Sequence, residues 1–184
     1  GIFGIMFDFF KKKKAPAYDV TNLSLKDLNV GFIFDYDMKS WVVKEVYKYD
    51  WGNNNFTSEY KVDSGDEVAF LHIADEGELE ISLSKSIRIS KIDEAITDEI
   101  EKNEKPPRKI HFDEELYYLE EDAAGYFRDL SKETEDWEEL VTWEYLNDEA
   151  TKVLSITQWD IRNIEASAGL VLKEFQFSNI IPSE

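Results

Sequence analysis

The sequence predicts a mainly β protein made of two similar antiparallel β-meander halves, joined by an amphipathic helix and preceded by a short N-terminal helix. Three observations support this prediction. Short segments of alternating apolar and polar residues fill 31–83, the same kind of pattern returns after residue 108, and a helical stripe lies between them. Alternation with a period of two is typical of half-buried strands, whereas a period near 3.6 is typical of helices.

The first half contains strands separated by turn residues. Trp41, Val43, Glu45 and Tyr47 alternate with their neighbours, so we expect these four side chains to share one face of a strand. Asp-Ser-Gly-Asp at 63–66 predicts a hairpin turn, because glycine and aspartate tolerate the left-handed backbone that such turns need. The segments on either side of this turn are therefore expected to pair.

The second half repeats the pattern of the first. The segments 37–45 and 113–121 both fit D-x-x-x-aromatic-x-aliphatic-x-E. Further along, 60–73 lines up with 143–156, which pairs Leu71 with Leu154. We interpret this as an internal duplication of a β-meander. The predicted boundaries are a leader at 1–17, a first repeat at 18–89, a linking helix at 90–105 and a second repeat at 106–184.

The predicted linking helix has one apolar stripe. Ile92, Ala95, Ile96 and Ile100 fall on one side of it, and two prolines at 106–107 follow. Proline cannot continue a helix, so the helix is expected to end before them. We expect its apolar side to pack on a sheet.

The charge of the chain is strongly negative and unevenly placed. The 184 residues include 21 Lys and Arg and 40 Asp and Glu, for a net charge of -19, and there is no cysteine. Residues 111–150 hold fifteen carboxylates against Arg128 and Lys132. Such a surface repels phosphate backbones, so no nucleic-acid partner is expected. Cations, polyamines or basic protein segments suit it better. The lack of cysteine excludes thiolate metal sites and cysteine nucleophiles.

The N-terminal leader combines apolar residues with four lysines. On a helix its apolar residues gather on one side, before the basic run begins. One interpretation is weak contact with an anionic membrane surface. The other is docking on the protein's own sheet or on a second copy. The contact residues are expected to be Phe3, Met6, Phe7, Phe10, Lys11, Lys12, Lys13 and Lys14.

Aromatic residues near carboxylates are the main candidates for a ligand site, because aromatic faces beside negative charge attract organic cations. Ordinary core packing is the alternative for these residues. The candidates are Tyr47, Tyr49, Trp51, Trp137, Trp143, Tyr145, Trp159, Glu138 and Glu144. His111, Asp113 and Glu115 are weaker candidates for a metal site. No motif of a known catalytic arrangement occurs, so no catalytic residue and no cofactor are predicted.

The order of these segments resembles the bacterial family DUF4178, a domain of unknown function. The resemblance covers nearly all of the chain after residue 23, and the order and spacing of the segments carry it. It implies a bacterial origin and supplies no established catalytic residues. The segments that carry it are GFIFDYDMKSWVVKEVYKYDWG at 31–52, EYKVDSGDEVAFLHI at 59–73, ISLSKSI at 81–87, PPRKIHFDEELYYLEEDAAGYF at 106–127, WEYLNDEATKVLSITQWD at 143–160 and EFQFSNIIP at 174–182.

The function expected from these observations is a binding or scaffold role without catalysis, with a protein partner, in a bacterial cytosol or at its inner membrane. The sequence has no run of about 18 to 20 apolar residues, which is the length that a membrane-spanning helix needs. The alternative is a sensor or binder of polyamines or metal cations. A hydrolase also stays open, because catalytic groups can converge from distant positions.

Overall fold

The computed structural model describes residues 22–184, so the predicted leader and N-terminal helix lie outside the described residues. The prediction of a mainly β protein is confirmed, since eleven strands form one antiparallel sheet in the described part of the chain. The strands are β1 (Ile33–Tyr36), β2 (Lys39–Asp50), β3 (Phe56–Asp63), β4 (Val68–Asp75), β5 (Leu79–Ile87), β6 (Lys109–Phe112), β7 (Glu115–Asp129), β8 (Glu138–Asn147), β9 (Lys152–Asp160), β10 (Asn163–Leu172) and β11 (Phe177–Ile181).

The sheet closes on itself through eight of its strands. Its order is β11-β1-β2-β3-β4-β5-β10-β9-β8-β7-β6, and β2 also pairs with β7. This extra pairing joins 47–50 to 126–129, while the other junction between the halves joins β5 to β10. Strands β2, β3, β4, β5, β10, β9, β8 and β7 therefore form a closed ring. At the β5–β10 junction Gly169 is required, because a Cβ there would lie 2.2 Å from the carbonyl oxygen of Leu83.

A β-bulge in each long strand decides which side chains face the inside of the ring. In β2, Val43 pairs with Val62 and Glu45 with Lys61, so Lys44 is the extra residue. An extra residue shifts the alternation by one and bends the strand. The prediction that Trp41, Val43, Glu45 and Tyr47 share one face is therefore wrong.

The residues before and after the β2 bulge have different surroundings. Trp41 and Val43 belong to an apolar core within the first half. Beyond the bulge, Tyr47 and Tyr49 line a cavity inside the ring. Strand β7 has the same irregularity between Leu119 and Glu121.

The register of the second pair of strands differs from the sequence alignment. Tyr60 pairs with Leu71 in the first half, and Trp143 pairs with Ile156 in the second. The predicted match of Leu71 with Leu154 is thus wrong by two residues. The connections between β3 and β4 and between β8 and β9 have the same length, so the difference lies in the strands, because β8 and β9 each run one residue further from this pair to their turn.

Each half has its own apolar core, on the side of the strands that faces away from the ring interior. The first contains Trp41, Val62 and Leu71, together with Leu25 from the segment before β1. The second contains residues of β6 to β10 and of the only α-helix in residues 22–184. Phe34, Phe177 and Tyr36 extend the first core toward β11 through ring contacts of 5.1–5.7 Å.

The predicted helix at 90–105 is shorter than expected. A 3-10 turn (Ile89–Lys91) precedes α1 (Ile96–Asn103). Ile96 and Ile100 are buried and join Ile92 in the second core, so the apolar side of the helix does pack on the sheet, whereas Ala95 is exposed. The helix ends at Asn103, and the next residue, Glu104, has a left-handed φ of 64°. Within residues 22–184, no helix has the length and apolar character that crossing a membrane requires.

Candidate functional site: the interior of the closed ring

A cavity of about 340 Å³ lies inside the closed ring. Every strand of the ring contributes at least one residue to its wall, which places the cavity between the two halves. Residues of both long strands reach it because their bulges turn the later part of each strand inward. The wall consists of Tyr47, Tyr49, Glu59, Phe70, Ser86, Phe127, Glu138, Ser155, Thr157, Trp159, Asn163, Glu165, Ala166 and Ser167.

Aromatic rings from both halves meet in this wall. Phe127 of β7 contacts Tyr47 at 5.1 Å, Tyr49 at 5.3 Å and Trp159 at 5.2 Å between ring centroids. Tyr49 also stacks on Trp51 with nearly parallel rings, 5.3 Å apart. Tilted and edge-on contacts at such distances are the preferred arrangements of aromatic pairs. The rings therefore form one connected wall that crosses the junction between β2 and β7.

Carboxylates accept hydrogen bonds from this aromatic wall. The hydroxyl of Tyr49 donates to Glu59 at 2.5 Å, and the indole nitrogen of Trp159 donates to Glu165 at 3.1 Å. The hydroxyl of Tyr47 donates to Glu45. These bonds fix the tyrosine and tryptophan rings, because each polar end has a defined partner.

Burial changes the ionisation of the groups in the cavity. Burial, opposed by the hydrogen bond from Tyr49 and supported by the nearby charge of Glu165, raises the pKa of Glu59 to about 7. Burial also raises the pKa of the Tyr49 hydroxyl well above its usual value. Glu59 is therefore only partly ionised at neutral pH, and a positive charge in the cavity would favour its ionised form.

A second group of titratable residues lies on the inward side of the ring, next to the cavity. Glu121 of β7 and Glu144 of β8 are directly opposite each other. Burial, followed by the charges of Glu121, Glu80 and Glu120, raises the pKa of Glu144 to about 7. Burial lowers the pKa of His72 to about 4, so this histidine is neutral at pH 7.

A larger cavity of about 640 Å³ adjoins the first. Trp159 lines both cavities, and Trp51 lines the larger one. Gly125 lets the Trp51 ring approach β7, because a Cβ at this position would lie 2.6 Å from that ring. Exposed Tyr126 and Ile161 also line this second cavity, which makes its wall largely apolar.

The structure brings together part of the predicted aromatic and acidic set. Tyr47, Tyr49, Trp159 and Glu138 line the inner cavity, Trp51 lines the adjoining one, and Glu144 lies opposite Ser155 of the cavity wall. Trp143 and Tyr145 are instead buried in the second core, where the Tyr145 hydroxyl donates to the Pro107 carbonyl at 2.8 Å. Trp137 is exposed and lies beside Arg128, 6.0 Å from its guanidinium carbon.

The predicted metal ligands do not converge. His111 is exposed on β6, Asp113 is exposed at the turn between β6 and β7, and Glu115 pairs with Lys152 at 2.9 Å. In residues 22–184 no group of three or more histidine or acidic side chains is arranged to hold a metal ion. The leader residues predicted to contact a membrane or a partner lie outside the described residues.

The sequence reasoning missed Glu59, Phe127 and Glu165 as site residues. Phe127 follows the bulge of β7, which shifts the alternation and hides the side of the strand on which this residue lies. In addition, the closure of the ring depends on the β2–β7 and β5–β10 pairings, which join residues far apart in the chain. Local periodicity carries no signal for such pairings.

Comparisons with known proteins identify the family of this chain. The family model for a domain of unknown function (DUF4178) matches residues 29–174. An "Uncharacterized protein" of Aquifex aeolicus (strain VF5) is 24% identical over 175 residues, which cover 95% of this chain and 94% of that protein. No solved structure matches the chain. The resemblance expected from the order of the sequence segments is thus confirmed, and the chain belongs to the DUF4178 family.

Proposed function

We propose that this protein is a binding module without catalytic activity, and that its ligand is an organic cation held in the cavity inside the ring. One observation carries the proposal. The cavity wall contains three glutamates and five aromatic side chains, and none of its fourteen residues is Lys, Arg or His. A wall of this composition attracts a positive charge electrostatically and can cover the attached carbon atoms with aromatic faces.

The size and chemistry of the cavity favour an organic cation over a metal ion. A volume of about 340 Å³ falls within the range of small-molecule sites. Metal ions such as Ca²⁺ need six to eight oxygen ligands at short distances, whereas much of this wall is aromatic. Aromatic faces supply no such ligands, but they do stabilise alkylammonium groups. Of the two predicted ligand classes, polyamines and metal cations, the geometry therefore supports the polyamines.

Isothermal titration calorimetry with the full chain tests this function, with spermidine as the probe at pH 7.5 and low salt. We expect saturable binding that sodium chloride of equal ionic strength does not reproduce. Replacing Trp159→Leu should weaken binding about tenfold, since it removes one aromatic face and the indole partner of Glu165. The matched control is Trp137→Leu, because Trp137 is exposed and lies outside the cavity wall. Equal heats from spermidine and sodium would show charge screening without a site.

We also infer that the two halves arose from one duplicated unit, as the sequence pattern predicts. Strands β1 to β5 and β6 to β10 follow the same order within the sheet. The hairpin between the first two strands of each half has two consecutive left-handed residues, Asp37–Met38 and Asp113–Glu114. The bulge follows seven residues after the first of them in both halves, at Lys44 and Glu120. β-bulges are conserved within protein families, so a bulge at the same position in both halves supports a common origin.

We further propose that the module works in a bacterial cytosol. A chain with no cysteine needs no oxidising compartment for disulfide formation. Expression of a fluorescent fusion in a bacterium and microscopy of its distribution would test the location.

A further inference from the structure

The first cross-strand pair after each bulge differs between the two halves. In the first half this pair is Glu45 and Lys61, and in the second half it is Glu121 and Glu144. Both pairs lie on the strand face opposite the apolar cores, where Glu121 is exposed and Glu144 is half-buried. A glutamate in the second half therefore occupies the position that a lysine occupies in the first.

The first pair has a positive charge of its own. The Lys61 ammonium nitrogen lies 4.0 Å from the carboxylate of Glu45. Both side chains are partly exposed to solvent, so the contact itself adds little to stability. It shows, however, that this position on the inner side of the ring accommodates an alkylammonium group next to a glutamate.

The second pair has two carboxylates and no resident cation. Within residues 22–184, no ion pair is formed by either Glu121 or Glu144. Like charges that face each other directly across two strands destabilise a sheet. The remaining titratable neighbours of Glu144 are Glu80 and Glu120, which add more negative charge. His72 is close enough to sense Glu121, but it is neutral at pH 7 because burial lowers its pKa.

The second pair is also connected to the cavity. Ser155, which lies directly opposite Glu144 in the neighbouring strand, is part of the cavity wall. A ligand bound between Glu121 and Glu144 could therefore continue along the aromatic wall toward Glu59 and Glu165. A chain of methylene groups with an ammonium at each end can contact carboxylates in both places, which a compact monovalent ion cannot do.

We infer that the Glu121–Glu144 pair holds a terminal primary ammonium of the ligand, at the position that corresponds to the Lys61 ammonium in the first half. This inference rests on the proposed function and narrows it to linear diamines and polyamines. The aromatic wall covers the carbon chain, and Glu59 and Glu165 face its other positive charge. The Lys61 side chain, an alkylammonium group, thus indicates that the ligand carries a primary ammonium on a carbon chain.

Replacing Glu144→Lys tests this inference, because the new lysine supplies the missing ammonium from within the chain. We expect E144K to fold, to melt at a higher temperature than the wild type at pH 8, and to bind spermidine at least tenfold more weakly. The matched control is Glu149→Lys, which makes the same change of net charge at an exposed loop position. It should change the affinity less than twofold.

A second variant keeps the test decisive if E144K does not fold. Ammonium binding to a partly protonated Glu144 releases a proton, so the heat of spermidine binding at pH 7 should depend on the buffer. Glu144→Gln should lower both the affinity and this proton release. If wild-type protein binds spermidine and E144K or E144Q binds it equally well, the inference is wrong and the proposed function stands. If the wild type binds no spermidine, both are wrong.

Discussion

The hydroxyl of Tyr49 donates a hydrogen bond of 2.5 Å to the carboxylate of Glu59, and the two residues lie on neighbouring strands inside the closed ring. Burial raises the pKa of this carboxyl group to about 7 despite the hydrogen bond. Folding therefore favours the protonated form of Glu59 at pH values where an unfolded chain would ionise it. This relationship makes the stability of the ring depend on pH.

The first prediction concerns that pH dependence. The folded pKa of Glu59 lies above its unfolded value, so its contribution to stability is fully present below about pH 4.5 and is lost as pH rises toward 7. Glu59→Gln should remove this loss, on the order of 2 kcal/mol, since one pKa unit corresponds to about 1.4 kcal/mol. Melting curves at pH 5 and pH 8 measure it. We expect the wild type to lose several degrees more than E59Q between these pH values. The control is Glu78→Gln, at an exposed position, which should lose as much as the wild type. If the wild type and E59Q lost the same number of degrees, the role of burial would be contradicted.

The second prediction concerns the junction between β5 and β10. Gly169→Ala would place a Cβ about 2.2 Å from the Leu83 carbonyl oxygen, a distance that real structures do not allow. The strands must separate locally, and we expect a loss of stability of about 2 kcal/mol or more, as for other overpacked positions. Urea denaturation measures the loss. The control is Ala124→Ser, at an exposed position of β7. If G169A were as stable as the control, this close approach would not occur in solution.

The third prediction concerns the contact between Trp51 and Gly125. A Cβ at residue 125 would lie 2.6 Å from the Trp51 ring and 2.7 Å from the Asp50 carbonyl oxygen, so Gly125→Ala should displace the indole. Because Trp51 stacks on Tyr49, the displacement should also disturb the cavity wall. We expect a red shift of tryptophan fluorescence and weaker spermidine binding in G125A. Unchanged fluorescence and affinity would show that Trp51 does not depend on this glycine.

The fourth prediction concerns the leader, which lies outside the described residues. If the apolar residues and the lysines at 11–14 contact an anionic membrane, the full chain should float with vesicles rich in phosphatidylserine at low salt. A chain that starts at Ala15 should stay in the soluble fraction. Each lysine near the surface contributes about 1 kcal/mol, so raising the salt concentration should release the full chain. Recovery of both chains in the soluble fraction would exclude the membrane contact and leave docking on protein as the alternative.

Much of the fold could be predicted from local patterns. The alternation in 31–83, the turn at 63–66 and the repeated segment at 113–121 all correspond to observed strands and turns. These features depend on neighbouring residues, so the sequence displays them directly. The stripe of Ile92, Ile96 and Ile100 likewise marked a helix that packs on the second core. The observed helix, Ile96–Asn103, is shorter than the predicted 90–105, because the ends of a helix depend on packing as well as on composition.

The bulges limited the prediction of the site. A bulge adds one residue to one strand, and no residue type at Lys44 or Glu120 announces it. Its effect is large, because every later side chain moves to the opposite face. Tyr47 was therefore predicted to share a face with Trp41, although it lies in the cavity and Trp41 lies in a core. Trp143 and Tyr145 were candidates because they lie among carboxylates in the sequence, but both are core residues.

The sequence by itself determined the β class, the family, the strong negative charge and the two similar halves of the strand pattern. Alternation, composition and segment order are properties of the chain that need no knowledge of its path. Only the tertiary structure decided that β2 pairs with β7 and β5 with β10, and hence that Tyr49, Glu59, Phe127 and Trp159 surround one cavity. The physical reason is that strand pairing at long range depends on backbone hydrogen bonds, which every residue can accept and every residue except proline can donate. The register between distant strands is set by the bend at each bulge and by the packing of whole faces.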